Sequence, residues 1–156
     1  MASVNPIPDN YHRITPYLYI RGAAKAIAYY KDVFGATESG PPLTQPDGSI
    51  GHAEIKIGDS TLMISDENAE MGANSPQTIG GTPIGLVVYV TDCDAVAKKA
   101  VAAGGTLTRE PEDQFYGDRA ATIIDPFGFV WNIHTHIEDV TMEQMGERMA
   151  AMESAG

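Results

Sequence analysis

The feature that most limits how this chain can fold is an order of elements that occurs twice. Residues 14–20 form a short aromatic and β-branched run, predicted as a strand. Residues 23–34 place Ala23, Ile27, Tyr30 and Phe34 at three- and four-residue spacing, so they are predicted as a helix, with Gly35 suited to its C-terminal end. Extended pieces are expected at 36–39, 50–57 and 61–65, with a loop at 40–49 around Pro41, Pro42, Pro46 and Asp47-Gly48. The pattern then restarts: a strand at 84–90, a helix at 92–103 ended by Gly104-Gly105, and extended pieces at 106–109, 119–124 and 129–136. A loop is expected at 110–117 and a tight turn at Asp125-Pro126-Phe127-Gly128. A shift of 70 residues lays Ile20 on Val90, Ile27 on Ala97 and Gly35 on Gly105. Strand, helix, three strands, twice, predicts an α+β fold of two βαβββ modules with curved mixed or antiparallel sheets that form a cup. The expected bounds are 12–68 for the first module, 69–82 for a linker loop, 83–139 for the second module and 140–156 for a C-terminal helix. That helix carries Met142, Met145, Met149 and Met152 as a stripe, with Thr141 as its cap.

Within a strand the side chains alternate, so each strand sorts its residues onto two faces. In 50–57, Gly51, Ala53, Ile55 and Ile57 share the face expected to meet the helix. His52 and Glu54 share the other, which should look into the cup. On the last strand Asn132 and His134 are expected inward, His136 at the rim, and Trp131 and Ile133 under the helix. On the first strand Tyr17 and Tyr19 are expected inward. Aromatic walls with polar tips suit a flat organic ligand and are equally common in plain cores. Arg119, after Tyr116-Gly117-Asp118, is either a fork for a ligand carboxylate or phosphate or the partner of a neighbour such as Asp118 or Asp125. Asp66 and Glu67 are adjacent, face opposite ways and read as a solvated loop start.

Charge and cysteine content narrow the function further. Acidic residues outnumber basic ones 21 to 10, for a net charge of −11, and no basic run tracks phosphates. Nucleic acid and anionic membranes are therefore not expected as partners. The single cysteine, Cys93, permits neither an intrachain disulfide nor a thiolate zinc cluster. Its neighbours Asp92 and Asp94 should blunt a thiolate. Residues 1–8 have no apolar core of signal-peptide length, so a cytoplasmic location is expected.

Three segments carry a resemblance: residues 14–35 (ITPYLYIRGAAKAIAYYKDVFG), 52–67 (HAEIKIGDSTLMISDE) and 116–139 (YGDRAATIIDPFGFVWNIHTHIED). The chain resembles the vicinal oxygen chelate superfamily of glyoxalases, bleomycin-resistance proteins and dioxygenases, closest to its PhnB-like, glyoxalase-like branch. The likeness spans about residues 12–140. It rests on the helix end "AIAYYKDVFGA" together with the "DPFG" turn before the last strand. It implies small-molecule binding, as in the bleomycin-resistance-like members, or metal-assisted lyase- or dioxygenase-type chemistry on vicinal oxygens. It also implies pairing of modules within or between chains, and so a homodimer. The superfamily's metal ligands, carried over, fall near Thr15, Ile64, Gly85 and Asn132. None of these is a carboxylate or an imidazole, so no metal and no cofactor are expected, and the four positions read as pocket wall. The residues expected to meet a ligand are Tyr17, Tyr19, His52, Glu54, Arg119, Asn132 and His134. A metal-free acid–base route through His52 and Glu54 is the enzymatic alternative.

Overall fold

A computed structural model describes residues 4–156. The chain divides between Gly81 and Thr82 into two compact units, each built on the repeated order of elements. The first unit contains β1 (Tyr17–Ile20), α1 (Ala23–Phe34), β2 (Thr37–Glu38), β3 (Leu43–Thr44), β4 (Ile50–Ile57), β5 (Ser60–Asp66) and the short helix α2 (Pro76–Ile79). Its five-stranded sheet runs β1-β5-β4-β2, with β3 also paired to β4. The second unit contains β6 (Gly85–Tyr89), α3 (Cys93–Ala102), β7 (Thr106–Asp113), β8 (Asp118–Ile124), β9 (Val130–His136) and α4 (Met142–Ser154). Its four-stranded sheet runs β6-β9-β8-β7. In each sheet the strand before the helix pairs parallel to the last strand, and the remaining pairs are antiparallel.

Each helix packs on one face of its own sheet, α1 over β1, β4 and β5, and α3 over β7, β8 and β9. Alternation decides which residues it covers. In the first unit Leu18, Ile20, Ala53, Ile55, Leu62 and Ile64 are buried with Ala23, Ile27 and Tyr30 of α1. In the second unit Val88, Ala121, Ile123, Trp131 and Ile133 are buried with Cys93, Ala97 and Ala100 of α3. The register agrees: Ala53 stands opposite Ile64, Ile123 opposite Trp131, and Ala121 opposite Ile133.

Carboxylates tie the chain where strands meet turns. The N-terminus of α1 follows Gly22, which has no side chain to cap it. Instead the Asp66 carboxylate, at the end of β5, accepts from the backbone N–H groups of Gly22 (3.1 Å), Ala23 (2.9 Å) and Ile50 (2.7 Å). Its charge also suits the positive end of the helix. Glu67 accepts from the Thr78 hydroxyl (2.6 Å), Arg21 (2.8 Å) and the Ser75 N–H (3.0 Å), which hold its carboxyl pKa at about 2. The expectation of a solvated loop start at these two residues is corrected: short side chains beside unsatisfied N–H groups are drawn into capping. In the second unit Asp125 accepts from the N–H groups of Phe127 and Phe129 and from the Trp131 indole (2.9 Å), closing the turn between β8 and β9.

Four further boundaries differ from the expectations. The first strand begins at Tyr17, after Pro16 and a solvent-exposed Ile14, because proline offers no N–H to a ladder. Residues 43–44 form a short strand inside the expected loop. β7 continues through Pro111 to Asp113, where a loop was expected. It is an edge strand, and its pairing shifts between Arg109 and Glu112, the setting in which a strand accepts proline. Segment 69–82 holds a 3-10 turn at Ala69–Met71 and α2 rather than plain loop. The expected terminal helix is present as α4, with Thr141 and Gln144 forming a reciprocal cap, but none of its residues is buried. It is held through Arg148, which donates to Glu138 and to the Phe115 carbonyl.

The face assignment predicts unequal mutational costs. Ile55→Ala and Trp131→Ala should each destabilise by about 2–5 kcal/mol in denaturant titrations, the range for large-to-small core changes. Tyr17→Ala, on the uncovered face, should cost little. The reverse ranking would mean that the faces are assigned backwards.

Candidate functional site

The face of each sheet away from its helix carries clusters of aromatic and titratable side chains. In the first unit it presents Tyr17 and Tyr19 from β1, His52 and Glu54 from β4, and Met63 and Ser65 from β5. The two tyrosine rings lie 5.0 Å apart and are each more than a third exposed. A continuous set of hydrogen bonds runs across the strands. Tyr11 donates to Glu54 (2.7 and 2.8 Å), Glu54 meets His52 Nε2 (3.2 Å), and His52 Nδ1 meets the Tyr17 hydroxyl (2.8 Å). The Tyr11 hydroxyl, with His52 behind it, holds the Glu54 carboxyl below its usual range against the effect of partial burial. The same bond raises the Tyr11 phenol. Beside the tyrosines lies a cleft of about 750 Å³, lined by Tyr17, Tyr19, Asp47, Asp66, Glu67 and Met71 among others, with no Lys or Arg in its lining.

In the second unit the open face presents Val87 and Tyr89 from β6, Asp118, Ala120 and Thr122 from β8, and Asn132, His134 and His136 from β9. Asp118 is only 4% exposed. One of its oxygens accepts from the Tyr89 hydroxyl (2.9 Å) and meets His134 Nδ1 (3.0 Å), and the other meets His136 Nδ1 (2.8 Å). Burial works against this charge, but the bonds from His134, His136 and Tyr89 outweigh it and keep the carboxyl below its usual range. An ionised carboxylate only accepts, so both imidazoles turn an N–H toward it. His136 also meets Asp139 through Nε2 (2.8 Å). Asp139, and then Asp118, raise its imidazole. Tyr116 stacks on His134, with ring centroids 6.2 Å apart, and Tyr89 meets it edge-on at 5.6 Å. Gly117 makes the arrangement possible: its φ is +97°, and a Cβ there would fall 2.1 Å from the Glu138 carbonyl. That close approach brings the start of β8 against the end of β9.

The sequence-predicted residues therefore divide. Tyr17, Tyr19, His52 and Glu54 meet on one open face, and Asn132 and His134 share the other. Arg119 stands with neither group. It is opposite Thr135 on the helix-packed face, and its guanidinium is taken by Asp94 of α3 (2.9 Å) and by Asp113 (2.8 Å). The expected partner Asp118 is excluded because adjacent strand residues point opposite ways, and Asp125 is engaged by Phe127, Phe129 and Trp131. Tyr11, Tyr89 and Asp118 were missed. Tyr89 had a signal, since the 70-residue shift maps Tyr19 onto it. Tyr11 had none, because it lies in an irregular lead-in. Cys93 is buried, and desolvation, then Asp94, push its thiol up.

The metal positions can be tested on their donors. Ile64 is fully buried in the helix-facing core, so it is no pocket wall, and the position inferred for it lies on the wrong face. Thr15 bonds the His12 carbonyl, Gly85 has no side chain, and the Asn132 carbonyl oxygen accepts from Thr122 (3.0 Å). Among the described residues no group of three or more His, Cys, Asp or Glu side chains is placed to hold a metal ion. The residues present do not fit the divalent centre that the resemblance implies.

Comparison with known proteins agrees with the fold. The family model of the Glyoxalase/Bleomycin resistance protein/Dioxygenase superfamily matches residues 11–133, and the chain belongs to that superfamily. An uncharacterized protein of Mycobacterium bovis is 38% identical over 146 residues, spanning 92% of this chain and 93% of that protein. The structure of a PhnB protein from Bacillus cereus superposes with a TM-score of 0.63 at 18% identity, over 80% of this chain and 99% of that one. A family enzyme from Burkholderia phytofirmans gives a TM-score of 0.60 at 22% identity, over 78% of this chain and 95% of that one. No helix among the described residues is long and apolar enough to cross a membrane.

The donor chemistry predicts that protein purified without chelator carries no stoichiometric transition metal by elemental analysis. A stoichiometric metal that disappears in an Asn132→Ala variant would contradict this.

Proposed function

We propose that the protein binds a small organic molecule on the open faces of its sheets, without a resident metal, as a homodimer in the cytoplasm. The observation that carries this reading is the exposure of Tyr17 and Tyr19 as a ring pair beside a cleft, with the Tyr11–Glu54–His52 hydrogen bonds behind them. A soluble fold ordinarily buries aromatic rings, and a concave site with a few convergent polar groups is the usual form of a ligand pocket. The carboxylates of the cleft and the overall charge of −11 favour a cationic aromatic ligand, through cation–π contact and long-range attraction. The superfamily supplies precedent for both binding proteins and enzymes, and fold alone does not choose between them. The homodimer follows from the superfamily's habit of pairing modules and from the need to cover apolar sheet surface such as Val87, which is 56% exposed.

A thermal-shift screen of cationic aromatic antibiotics against anionic aromatic compounds tests this. A cationic ligand at about one hundred times its dissociation constant should stabilise by about 2.7 kcal/mol. Tyr17→Ala should abolish that gain while leaving the unliganded melting temperature nearly unchanged. A preference for anions, or stabilisation that survives Tyr17→Ala, would contradict the reading. A monomer in sedimentation at micromolar concentration would remove the dimer from it.

A further inference from the structure

The hydrogen bonds behind the first unit's tyrosine pair have a direction, and Glu54 sets it. Its carboxyl is held below the usual range, chiefly by the Tyr11 hydroxyl, so it is ionised at neutral pH. An ionised carboxylate only accepts, so His52 Nε2, 3.2 Å away, carries a proton. A neutral imidazole bears one proton, which leaves His52 Nδ1 with a lone pair. The Tyr17 hydroxyl, 2.8 Å from Nδ1, therefore donates to it. With its proton committed, the Tyr17 oxygen has only lone pairs left to offer.

That oxygen belongs to a wall of the cleft of about 750 Å³. Tyr17 is 38% exposed and its bond to His52 is open to solvent, so the oxygen is within reach of a bound molecule. The charged groups of the lining, Asp47, Asp66 and Glu67, are acceptors as well. Asp66 and Glu67 already take three donors each, and Asp47 takes the N–H and hydroxyl of Ser49. Protonation of His52 reverses the arrangement at Tyr17. An imidazolium donates from both nitrogens, so Nδ1–H turns to the Tyr17 oxygen and the phenolic proton is released to the cleft. The titratable groups around His52 are Tyr17 and Tyr19 from β1, Glu54 and Lys56 from β4, and Tyr11 from the lead-in, while β3 sets Leu43 opposite it and β5 brings Met63 and Ser65 to the same face. Glu54 is the carboxylate bonded to the ring, and it accepts in both states.

We propose that His52 and Glu54 are positioning residues that turn Tyr17 into an acceptor, so that among aromatic cations the cleft selects a primary or secondary ammonium over a quaternary one, and that protonation of His52 removes this selection. The inference rests on the reading that the cleft takes a cationic aromatic ligand. A primary ammonium gives the Tyr17 oxygen a charge-assisted hydrogen bond while its aryl group lies against the tyrosine rings. A quaternary ammonium keeps the cation–π attraction but has no N–H, and it leaves the oxygen desolvated without a partner.

The probes are phenethylammonium and phenethyltrimethylammonium chloride, each titrated by NMR against the full chain at about pH 8 and about pH 5, on either side of the ordinary imidazole range. Both carry one positive charge, so the ratio of their dissociation constants is blind to the charge that His52 gains. The primary cation should bind about tenfold tighter at the higher pH, the worth of one hydrogen bond, and the ratio should fall toward one at the lower pH. Tyr17→Phe should give a ratio near one at both, and His52→Gln a ratio that no longer changes with pH, with thermal melting confirming that each is folded. Should His52→Gln fail to fold, the midpoint of the change in ratio is compared with the His52 ring titration followed by nitrogen-15 NMR, and the two must coincide. A preference that survives Tyr17→Phe, or a pH dependence that survives His52→Gln or departs from the His52 titration, overturns the proposal. Equal binding of the two cations at both pH values overturns it but leaves the cationic-ligand reading standing. Binding of neither overturns both.

Discussion

The structure depends on the strand period of two. Each sheet has one helix, and that helix can cover only one face. Every second residue of β1, β4, β5, β6, β8 and β9 is therefore committed to a core, and the residues between are released from it. Leu18, Ile55 and Ile64 in one unit, and Val88, Ile123 and Ile133 in the other, are the committed set. A slip of one residue in any pairing would exchange the sets, exposing isoleucines and turning Glu54 or Asp118 onto the helix-packed face, away from its partners. Burying so many isoleucines under α1 and α3 thus holds the polar groups of the other face in register. The core sets the face on which these groups lie, and their own hydrogen bonds then orient them.

Carboxylates then finish what alternation begins. Asp66, Asp118 and Asp125 all lie at strand ends, where the ladder stops and backbone or ring N–H groups lack partners. Asp66 satisfies three backbone donors between β5, α1 and β4, and Asp125 satisfies two and an indole. Asp118 differs because its donors are side chains, two imidazoles and a phenol. The same physical need, an acceptor for otherwise orphaned donors, yields structural caps in two cases and an organised histidine in the third. Groups whose titration is shifted by burial and by specific charged partners, as that of Asp118 is, cluster at functional sites.

The repeat, the helices and the two-faced strands were legible in the sequence because they are written as periodicity, which local residues carry alone. The placement of His52, Glu54 and His134 on uncovered faces followed from the same reading. Arg119 was not legible. In β8 both alternations, Arg119-Ala121-Ile123 and Ala120-Thr122-Ile124, look apolar, so parity could not be assigned without the pairing to β9. Asp66 and Glu67 failed for a related reason: their partners, Gly22, Ile50, Ser75 and Thr78, are distant in sequence or lie in turns whose path no pattern specifies. Ile64 failed because a ligand position implied by a resemblance can be displaced by one residue, and in a strand one residue is a change of face. Tyr11 reaches Glu54 from a segment with no regular structure, which no periodicity predicts.

The central claim is that the core's register presents His134 with Nδ1 committed to Asp118 and Nε2 left open. Nitrogen-15 NMR of the histidine rings at neutral pH tests this most directly, because the two ring nitrogens report which of them carries the proton. The account predicts that the neutral form of the His134 ring carries its proton on Nδ1, with Nε2 unprotonated, and that this preference is lost in Asp118→Asn. A His134 ring in the Nε2–H form, or a rapid average of the two forms unaffected by Asp118→Asn, would contradict it.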